Sequence, residues 1–554
     1  MCNLRILLKY MVLFSFAFFC TNSLIAQPSP SNPSWPMFHH DCYLSGLSPL
    51  EGDLTSYEFS WIYEDWISWN SPSLGDIDGD GLLEIVCAAG ELITVINGEN
   101  GTVLWDRRLT PIIEVISSPA LGDINGDGKL EIILVGVEEG STFITALALN
   151  GENGDYIWSY TITKKPSEYW LATSSSPILG DIDEDGKLEV VFGTEHTEHY
   201  ERDDTLFALN IENGSLLWKY APPYATPVLG SASFGDVDKD GHTEVVVMAS
   251  GAVVYCLAGT NGNLEWYRIL EESSSICASP ALGDINGDGS LEVVVGTWGG
   301  LFALEGETGN TIWSYNKLKN YFGTPAIGDI DNDGKLEVVI GSYYDTLYAF
   351  NGENGTLLWK FTTINSKNIQ SSPVLGDIDG DGKLEVVFTS SQYKSRLYTL
   401  NGEDGSLIWS HEGQNGANEF SSPCLGDIDG DGLLEIVNST YGTLYAYNGL
   451  PTGIEESPEE SPSLSFNISP NPFIDITNFV LNLPEGTNNA DFNIYDVSGT
   501  MVKSFPLGNS FSSRITLPWD GRDNSGTKCG SGVYFGVLKV ENNKPVMEKV
   551  IKLQ

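Results

Sequence analysis

One unit recurs eight times in this chain, and in its fullest form it reads SSPVLGDIDGDGKLEVVF, from Ser371 to Phe388. The first aspartate of its acidic loop falls at Asp76, Asp123, Asp181, Asp236, Asp284, Asp329, Asp377 and Asp427, at spacings of 47, 58, 55, 48, 45, 48 and 50 residues. A period of this size, filled with short apolar runs and turn residues, predicts the blades of a β-propeller rather than a helical solenoid. Four strands are expected per unit. The SSPxLGD segment supplies the first, and the run after the acidic loop supplies the second, as in Leu291 to Val295. Leu347 to Phe350 exemplifies the third strand and Leu357 to Trp359 the fourth, joined by a hairpin turn over Asn351 to Gly355.

Tryptophans indicate how the ring closes. Trp105, Trp158, Trp218, Trp266, Trp313, Trp359 and Trp409 each precede the next acidic loop by 16 to 23 residues, and Trp61 precedes Asp76 by 15. The last unit ends near Leu444–Gly449 without a tryptophan strand of its own. The strand around Trp61 is therefore expected to complete the eighth blade, leaving no open sheet array. The expected fold is all-β: an eight-bladed β-propeller over residues 27–450, followed by a small Ig-like β-sandwich.

Each acidic loop sets oxygens at positions 1, 3, 5 and 9. These are Asp76, Asp78, Asp80 and Glu84; Asp123, Asn125, Asp127 and Glu131; Asp181, Asp183, Asp185 and Glu189; and Asp236, Asp238, Asp240 and Glu244. The remaining four sets are Asp284, Asn286, Asp288 and Glu292; Asp329, Asp331, Asp333 and Glu337; Asp377, Asp379, Asp381 and Glu385; and Asp427, Asp429, Asp431 and Glu435. Glycine at position 6 permits the sharp turn that points these oxygens inward. Such a set suits a hard cation of high coordination number, Ca²⁺ better than Mg²⁺, in up to eight sites. It is not an EF-hand, which needs glutamate at position 12; here that position lies inside a strand.

These units resemble the FG-GAP/VCBS-type calcium-binding repeats of integrin α-subunit heads, over roughly residues 60 to 450. The LYALNGxNGxxLW half and the opening Trp35-Pro-Met-Phe-His-His-Asp41 are similar to the tryptophan-docked repeats of quinoprotein-like propellers. The resemblance implies the fold and calcium ligation at the matching residues. It does not carry a quinone cofactor with it, because no recognisable site for one is present.

The ends of the chain concern export. Arg5 and Lys9 precede an apolar run, Met11 to Phe19, and Leu24-Ile25-Ala26 follows, which predicts a Sec-type signal peptide over residues 1–26. No other segment is long and apolar enough for a transmembrane helix. Residues 451–464 are acidic and rich in Pro and Ser, and they read as a linker. Beyond them Pro470-Asn-Pro-Phe473, Ile494-Tyr-Asp-Val-Ser-Gly499, Trp519-Asp-Gly521 and Gly532-Val-Tyr-Phe535 resemble a type IX secretion sorting domain over residues 465–554. That resemblance implies the type IX machinery as a partner and a secreted or outer-membrane-surface destination. Cys42, Cys87, Cys256, Cys277, Cys424 and Cys529 remain after signal removal; most sit in apolar strand patterns and read as buried thiols.

Charge excludes one class of partner. The chain holds 75 acidic and 28 basic residues, net −47, so nucleic acid is not expected. Residues 27–450 carry 63 acids and 18 bases, and the eight loops supply 30 of those acids. Connections on the face opposite the acidic loops vary most between units, and variable loops on a rigid scaffold are where binding concentrates. They contain Trp66, Trp69, Arg107, Arg108, Lys164, Lys165, Tyr169, Trp170, Trp298, Tyr321, Tyr343, Tyr344 and Tyr393. A binding or adhesion module for glycans or proteins is expected, with no catalytic residue assigned. The enzymatic alternative is an extracellular polysaccharide lyase on a calcium-loaded propeller. His196-Thr-Glu-His199, in a long acidic insertion, lacks the HExxH helix of a zinc protease.

Overall fold

The computed structural model describes residues 38–552, except for 43, 52–56, 65–69, 116, 139–142, 164–174, 195–204, 224–226, 271–277, 321, 365–367, 391–393, 416–420, 441–442, 450–464, 470–476, 483–489, 497–499, 507–513 and 541–545. The expected signal peptide and linker, the His196–His199 insertion, Cys277, Trp66, Trp69, Lys164, Lys165, Tyr169, Trp170, Tyr321 and Tyr393 lie outside the described residues. The chain forms two compact units, one ending at Thr452 and the other beginning at Gly453.

Every described element is a strand. Eight sheets follow one another, built of antiparallel strands that mostly pair with the next in sequence; blade 2 adds Ile112–Val115 beside Glu131–Glu138, and blades 7 and 8 each take a strand from the N-terminal part. Blade 1 shows the plan. Its inner strand, Ser73–Gly75, pairs with Glu84–Ala89, then Leu92–Asn97, then the outer strand Val103–Arg108. The second and third strands are buried on both faces, because each blade packs between two others, and hence read as near-continuous apolar runs. In blade 8 the outer place is taken by Tyr57–Glu64, which pairs with Thr443–Gly449 in the register Trp61↔Ala446. The first and last parts of the propeller thus share one sheet.

Two sets of contacts join the blades. Near the rim, Trp61, Trp105, Trp158, Trp218, Trp266, Trp313 and Trp359 each lie on a turn glycine of the following blade and donate the indole N–H to a carbonyl there. Trp61 bonds Gly98 O at 2.6 Å, Trp105 bonds Gly151 O at 2.7 Å, and Trp313 bonds Gly352 O at 2.6 Å. A Cβ on Gly101 would come within 2.5 Å of the Trp61 ring, so glycine is needed for this approach as well as for its positive φ. At the axis, the backbone N–H of one blade donates to the next blade's hydroxyl: Ser71 to Ser118, Ser118 to Ser176, Ser176 to Ser231, and Ser231 to Ser279. The chain continues from Thr324 to Ser372, from Ser372 to Ser422, and from Ser422 back to Ser71. Between blades 5 and 6 Thr324 Oγ1 has no partner, so seven links of this ring are formed.

The N-terminal segment fills the axis. Cys42 O accepts from Phe234 N in the inner strand of blade 4, Ser45 O from Ile327 N in blade 6, and Gly46 O from Leu375 N in blade 7. Leu47–Glu51 then pairs parallel to the blade 7 inner strand, Val374–Asp377. Cys42 and Leu44 pack against Ala120, Ile178, Leu179 and Phe234. Sequence reading found no role for this stretch, since its contacts are made by backbone carbonyls that no side-chain pattern marks.

The C-terminal unit has a three-stranded sheet, Ser465–Ser469, Thr477–Asn482 and Arg514–Trp519, and a four-stranded one, Met501–Pro506, Ala490–Asp496, Gly532–Val540 and Val546–Lys552. Phe479, Leu481, Phe492, Ile494, Trp519 and Leu538 fill the space between them. Cys42, Cys87, Cys256 and Cys424 are buried free thiols, and Cys529 is a half-buried one.

Candidate metal centres and the loop face

The acidic loops join the first and second strands of every blade, so all eight emerge on one face. Their local structure follows from the repeat. The position-1 aspartate accepts from the position-6 glycine N–H, as Asp76 Oδ2 does from Gly81 at 3.1 Å and Asp427 Oδ2 from Gly432 at 3.0 Å. The position-3 aspartate accepts from the N–H two residues on, Asp78 Oδ1 from Asp80 at 3.1 Å. The position-9 glutamate opens the second strand, opposite the last glycine of the inner strand, and is buried in all eight blades. One of its oxygens latches the loop by accepting from the position-2 N–H: Glu84 Oε2 from Ile77 at 2.8 Å, Glu435 Oε2 from Ile428 at 2.9 Å.

The other oxygen points into the loop. Glu84 Oε1, Glu337 Oε1 and Glu435 Oε1 are buried without a partner, and so are Asp181 Oδ1, Asp236 Oδ1 and Asp284 Oδ1. A buried carboxylate oxygen with nothing to accept from is costly, and the structure repeats that cost around the ring. Burial, with nearby aspartates adding to it, pushes Glu84 and Glu292 up to about 7, and Glu189, Glu244, Glu337 and Glu385 up to about 8. Glu435 is raised to about 9. Ligand oxygens of Asp76, Asp78 and Glu84 lie within 4.8 Å of one another, as do those of Asp181, Asp183 and Glu189, and of Asp377, Asp379 and Glu385. The same holds for Asp236, Asp238 and Glu244, and for Asp329, Asp331 and Asp333. These clusters can hold a metal ion: the donors are hard oxygens, they converge, and several have no other partner. The glutamate's double duty was not evident from sequence, although its invariance at position 9 across the repeats was the signal.

On the opposite face the structure brings three of the sequence-selected aromatics together. Trp298, in the blade 5 connection from second to third strand, lies 5.4 Å from Tyr343 of blade 6, and Tyr343 lies 5.9 Å from Tyr344. Lys319, which sequence reading passed over, sits over the Trp298 ring at 4.9 Å. Backbone bonds brace the group: Tyr343 N donates to Lys319 O at 2.6 Å and Asn320 N to Thr297 O at 3.0 Å, while Asn320 Nδ2 donates to Gly341 O at 3.0 Å. Tyr344 is 53% exposed. Of the two arginines expected on this face, Arg107 corrects the expectation. Both belong to the outer strand of blade 1, where Arg107 bonds Gly154 O at 2.7 Å and Asp155 at 2.8 Å, and Arg108 pairs with Glu91. The Arg107 guanidinium thus serves the rim, whereas Arg108, the last residue of the strand, meets Glu91 in the connection from second to third strand, on the loop face.

Three family models match parts of the chain. Residues 68–315 match one described as outer membrane protein assembly factor BamB, residues 329–388 and 377–438 match the FG-GAP-like repeat, and residues 475–544 match the FlgD Ig-like domain. No curated protein matches. Among solved structures, the chain is similar to quinohemoprotein alcohol dehydrogenase from Comamonas testosteroni, at 12% identity and TM-score 0.58 over 78% of this chain and 83% of that one. A europium-containing methanol dehydrogenase aligns at 10% identity and TM-score 0.59, over 77% and 99%. The V. cholerae biofilm matrix protein Bap1 aligns at 14% identity and TM-score 0.50, over 72% and 91%. At such identities the likeness concerns fold alone. This chain is a β-propeller of quinoprotein-like fold that carries FG-GAP-like repeats and ends in an Ig-like domain.

Proposed function

We propose that the protein is an exported, calcium-binding propeller that serves as a binding or adhesion module, with a glycan as its ligand on the loop face. Calcium at the acidic loops is supported by the buried, partnerless carboxylate oxygens. A divalent ion satisfies them and removes the repulsion between aspartates that lie within one coordination sphere. The ligands would be the position 1, 3, 5 and 9 side chains of each loop.

The glycan reading is carried by the braced Trp298–Tyr343–Tyr344 cluster with Lys319. Aromatic faces held by backbone bonds present apolar area at little ordering cost, and a pyranose ring matches them. Charge selects among glycans. Residues 27–450 have a net charge of −45, from 63 acids and 18 bases, and eight calcium ions would leave −29, so a neutral polysaccharide is favoured over an acidic one. A glycan array probed with the calcium-loaded protein is expected to show neutral oligosaccharides bound, with Tyr344→Ala lowering affinity about tenfold, a loss of roughly 1.4 kcal/mol. An array without hits, or unsaturated uronide products from an acidic polysaccharide, would reject this reading. The Ig-like domain, in turn, is read as a type IX sorting signal following a Sec leader. Deleting residues 465–554 in a type IX-competent host is expected to leave the protein in the periplasm.

A further inference from the structure

Cysteine stands at two places in the repeats where no other blade has it, and both places face the same interface. Cys424 lies in the inner strand of blade 8, where the other blades hold serine, alanine, valine or isoleucine. Cys87 lies in the second strand of blade 1, where the others hold leucine, phenylalanine, valine, isoleucine or asparagine. Along that strand the side chains alternate. Ile85 and Cys87 pack with Cys424, Leu425 and Val437 of blade 8, whereas Val86 and Ala88 pack with Leu121 and Leu134 of blade 2. Cys424 Sγ donates to Pro72 O of blade 1 at 2.9 Å. Pro72 precedes Ser73, and Ser73 pairs with Val86, so the register sets Pro72 opposite Cys87. The Cys424 thiol therefore already touches the pair of strands that carries Cys87. Burial first, and then charge on Cys87, opposes ionisation of the Cys424 thiol, as it does only when the two side chains lie close together. Among the described residues no other two cysteines share a core, since Cys42, Cys256 and Cys529 belong to three separate ones.

We infer that Cys87 and Cys424 form a disulfide that fastens the inner part of the seam between blades 8 and 1, as Tyr57–Glu64 fastens its outer part. The inference rests on the export reading above, because the bond needs an oxidising compartment. Each thiol gives up one proton and one electron, and the S–S bond forms. A disulfide donor, either a thiol–disulfide oxidoreductase or oxidised glutathione, takes the two electrons and two protons and becomes a pair of thiols. Cys87 is 1% exposed and Cys424 0%, and burial raises both thiols above their usual range. A protonated thiol shut away from solvent does not exchange. The bond therefore forms before ring closure seals this core, and afterwards reductant has no access to it. It joins residues near the two ends of the ring, and a cross-link across so long a stretch restricts the unfolded chain most.

The full chain, unfolded and reduced, is refolded in a mixture of reduced and oxidised glutathione. Free thiols are alkylated in denaturant, the disulfides are then reduced, and the thiols so released take a second, heavier label. Cys87 and Cys424 are expected to carry the second label, and Cys42, Cys256 and Cys529 the first. Cys424→Ser keeps a donor for Pro72 O, as Ser73 Oγ is for Pro119 O at 2.7 Å, but cannot form the bond. It is expected to melt several degrees below the oxidised chain and level with the unaltered chain refolded in reductant. First label on both Cys87 and Cys424 would overturn the inference, as would a peptide linking either one to a third cysteine. Equal melting temperatures for Cys424→Ser and the oxidised chain would also overturn it, because the bond would then fasten nothing. The export reading fails separately: a chain that stays in the cytoplasm under its own leader, yet pairs these cysteines in glutathione, would reject export and leave the bond standing.

Discussion

At position 4 of the acidic loops the backbone is left-handed in all eight blades, with φ between 59° and 79°. Five blades place glycine there: Gly79, Gly126, Gly287, Gly380 and Gly430. Asn332 tolerates the conformation through its short polar side chain, but Glu184 and Lys239 hold it at φ 64° and 62° against the clash of their Cβ atoms. Lys239→Gly is expected to stabilise the protein by about 1 kcal/mol. Its exposed contact with Asp288 is worth less than that. A denaturant titration showing no gain would mean that the loop relaxes around the lysine without strain. Position 6 was legible in the sequence because every copy is glycine. Position 4 was not, because three substitutions hide the same geometry, and only backbone angles reveal it.

At the level of strands, the blades are held by few directional contacts, repeated many times. Seven of the rim tryptophans combine an apolar face with one N–H bond to the following blade. Trp313→Phe keeps the face and leaves the Gly352 carbonyl without its donor, for an expected loss of about 1–3 kcal/mol in chemical denaturation. The same change at Trp61 acts on the seam between blades 8 and 1. Removal of Tyr57–Glu64 goes further, baring one edge of Thr443–Gly449, and is expected to yield aggregates in gel filtration where the full chain runs as a defined species. A well-behaved, fully folded truncation would show that the seam is dispensable. Strand order and the closing strand were legible because Trp61 fits the tryptophan series while the last unit lacks a member. The serine ring was not: Ser71, Ser118 and their counterparts appear in the sequence as the start of a strand. Their hydroxyls gain meaning only when blades are set side by side around an axis. Arg107 failed as a loop-face candidate for a related reason, since the end of an outer strand and the start of a connection look alike in sequence.

For the whole molecule, the glutamate pKa values make the proposed calcium loading depend on pH. Their folded, metal-free values of about 7 to 9 stand above the usual 4.5 for glutamate. A group raised in this way stabilises the metal-free fold below its unfolded pKa, and that contribution is lost as pH climbs through the folded value. The melting temperature in chelator is therefore expected to fall steadily from about pH 5 to pH 8, while the calcium-loaded protein holds nearly level over that range. Calcium uptake near pH 6 is expected to release protons, measurable by calorimetry in buffers of different ionisation enthalpy. A flat melting curve in chelator over this window would show that the glutamates are already ionised without metal.

The shared sheet of blade 8 also has a mechanical consequence. Thr443–Gly449 is the last propeller strand before the chain passes toward the Ig-like domain, and it lies between Glu435–Thr440 and Tyr57–Glu64. A pull on the C-terminal part of the chain enters the ring through this strand. The load is then divided between two ladders, one of which leads to the N-terminal segment threaded along the axis and bonded to blades 4, 6 and 7. A tether that enters through an edge strand could be peeled away one bond at a time, whereas here it must break both flanks together.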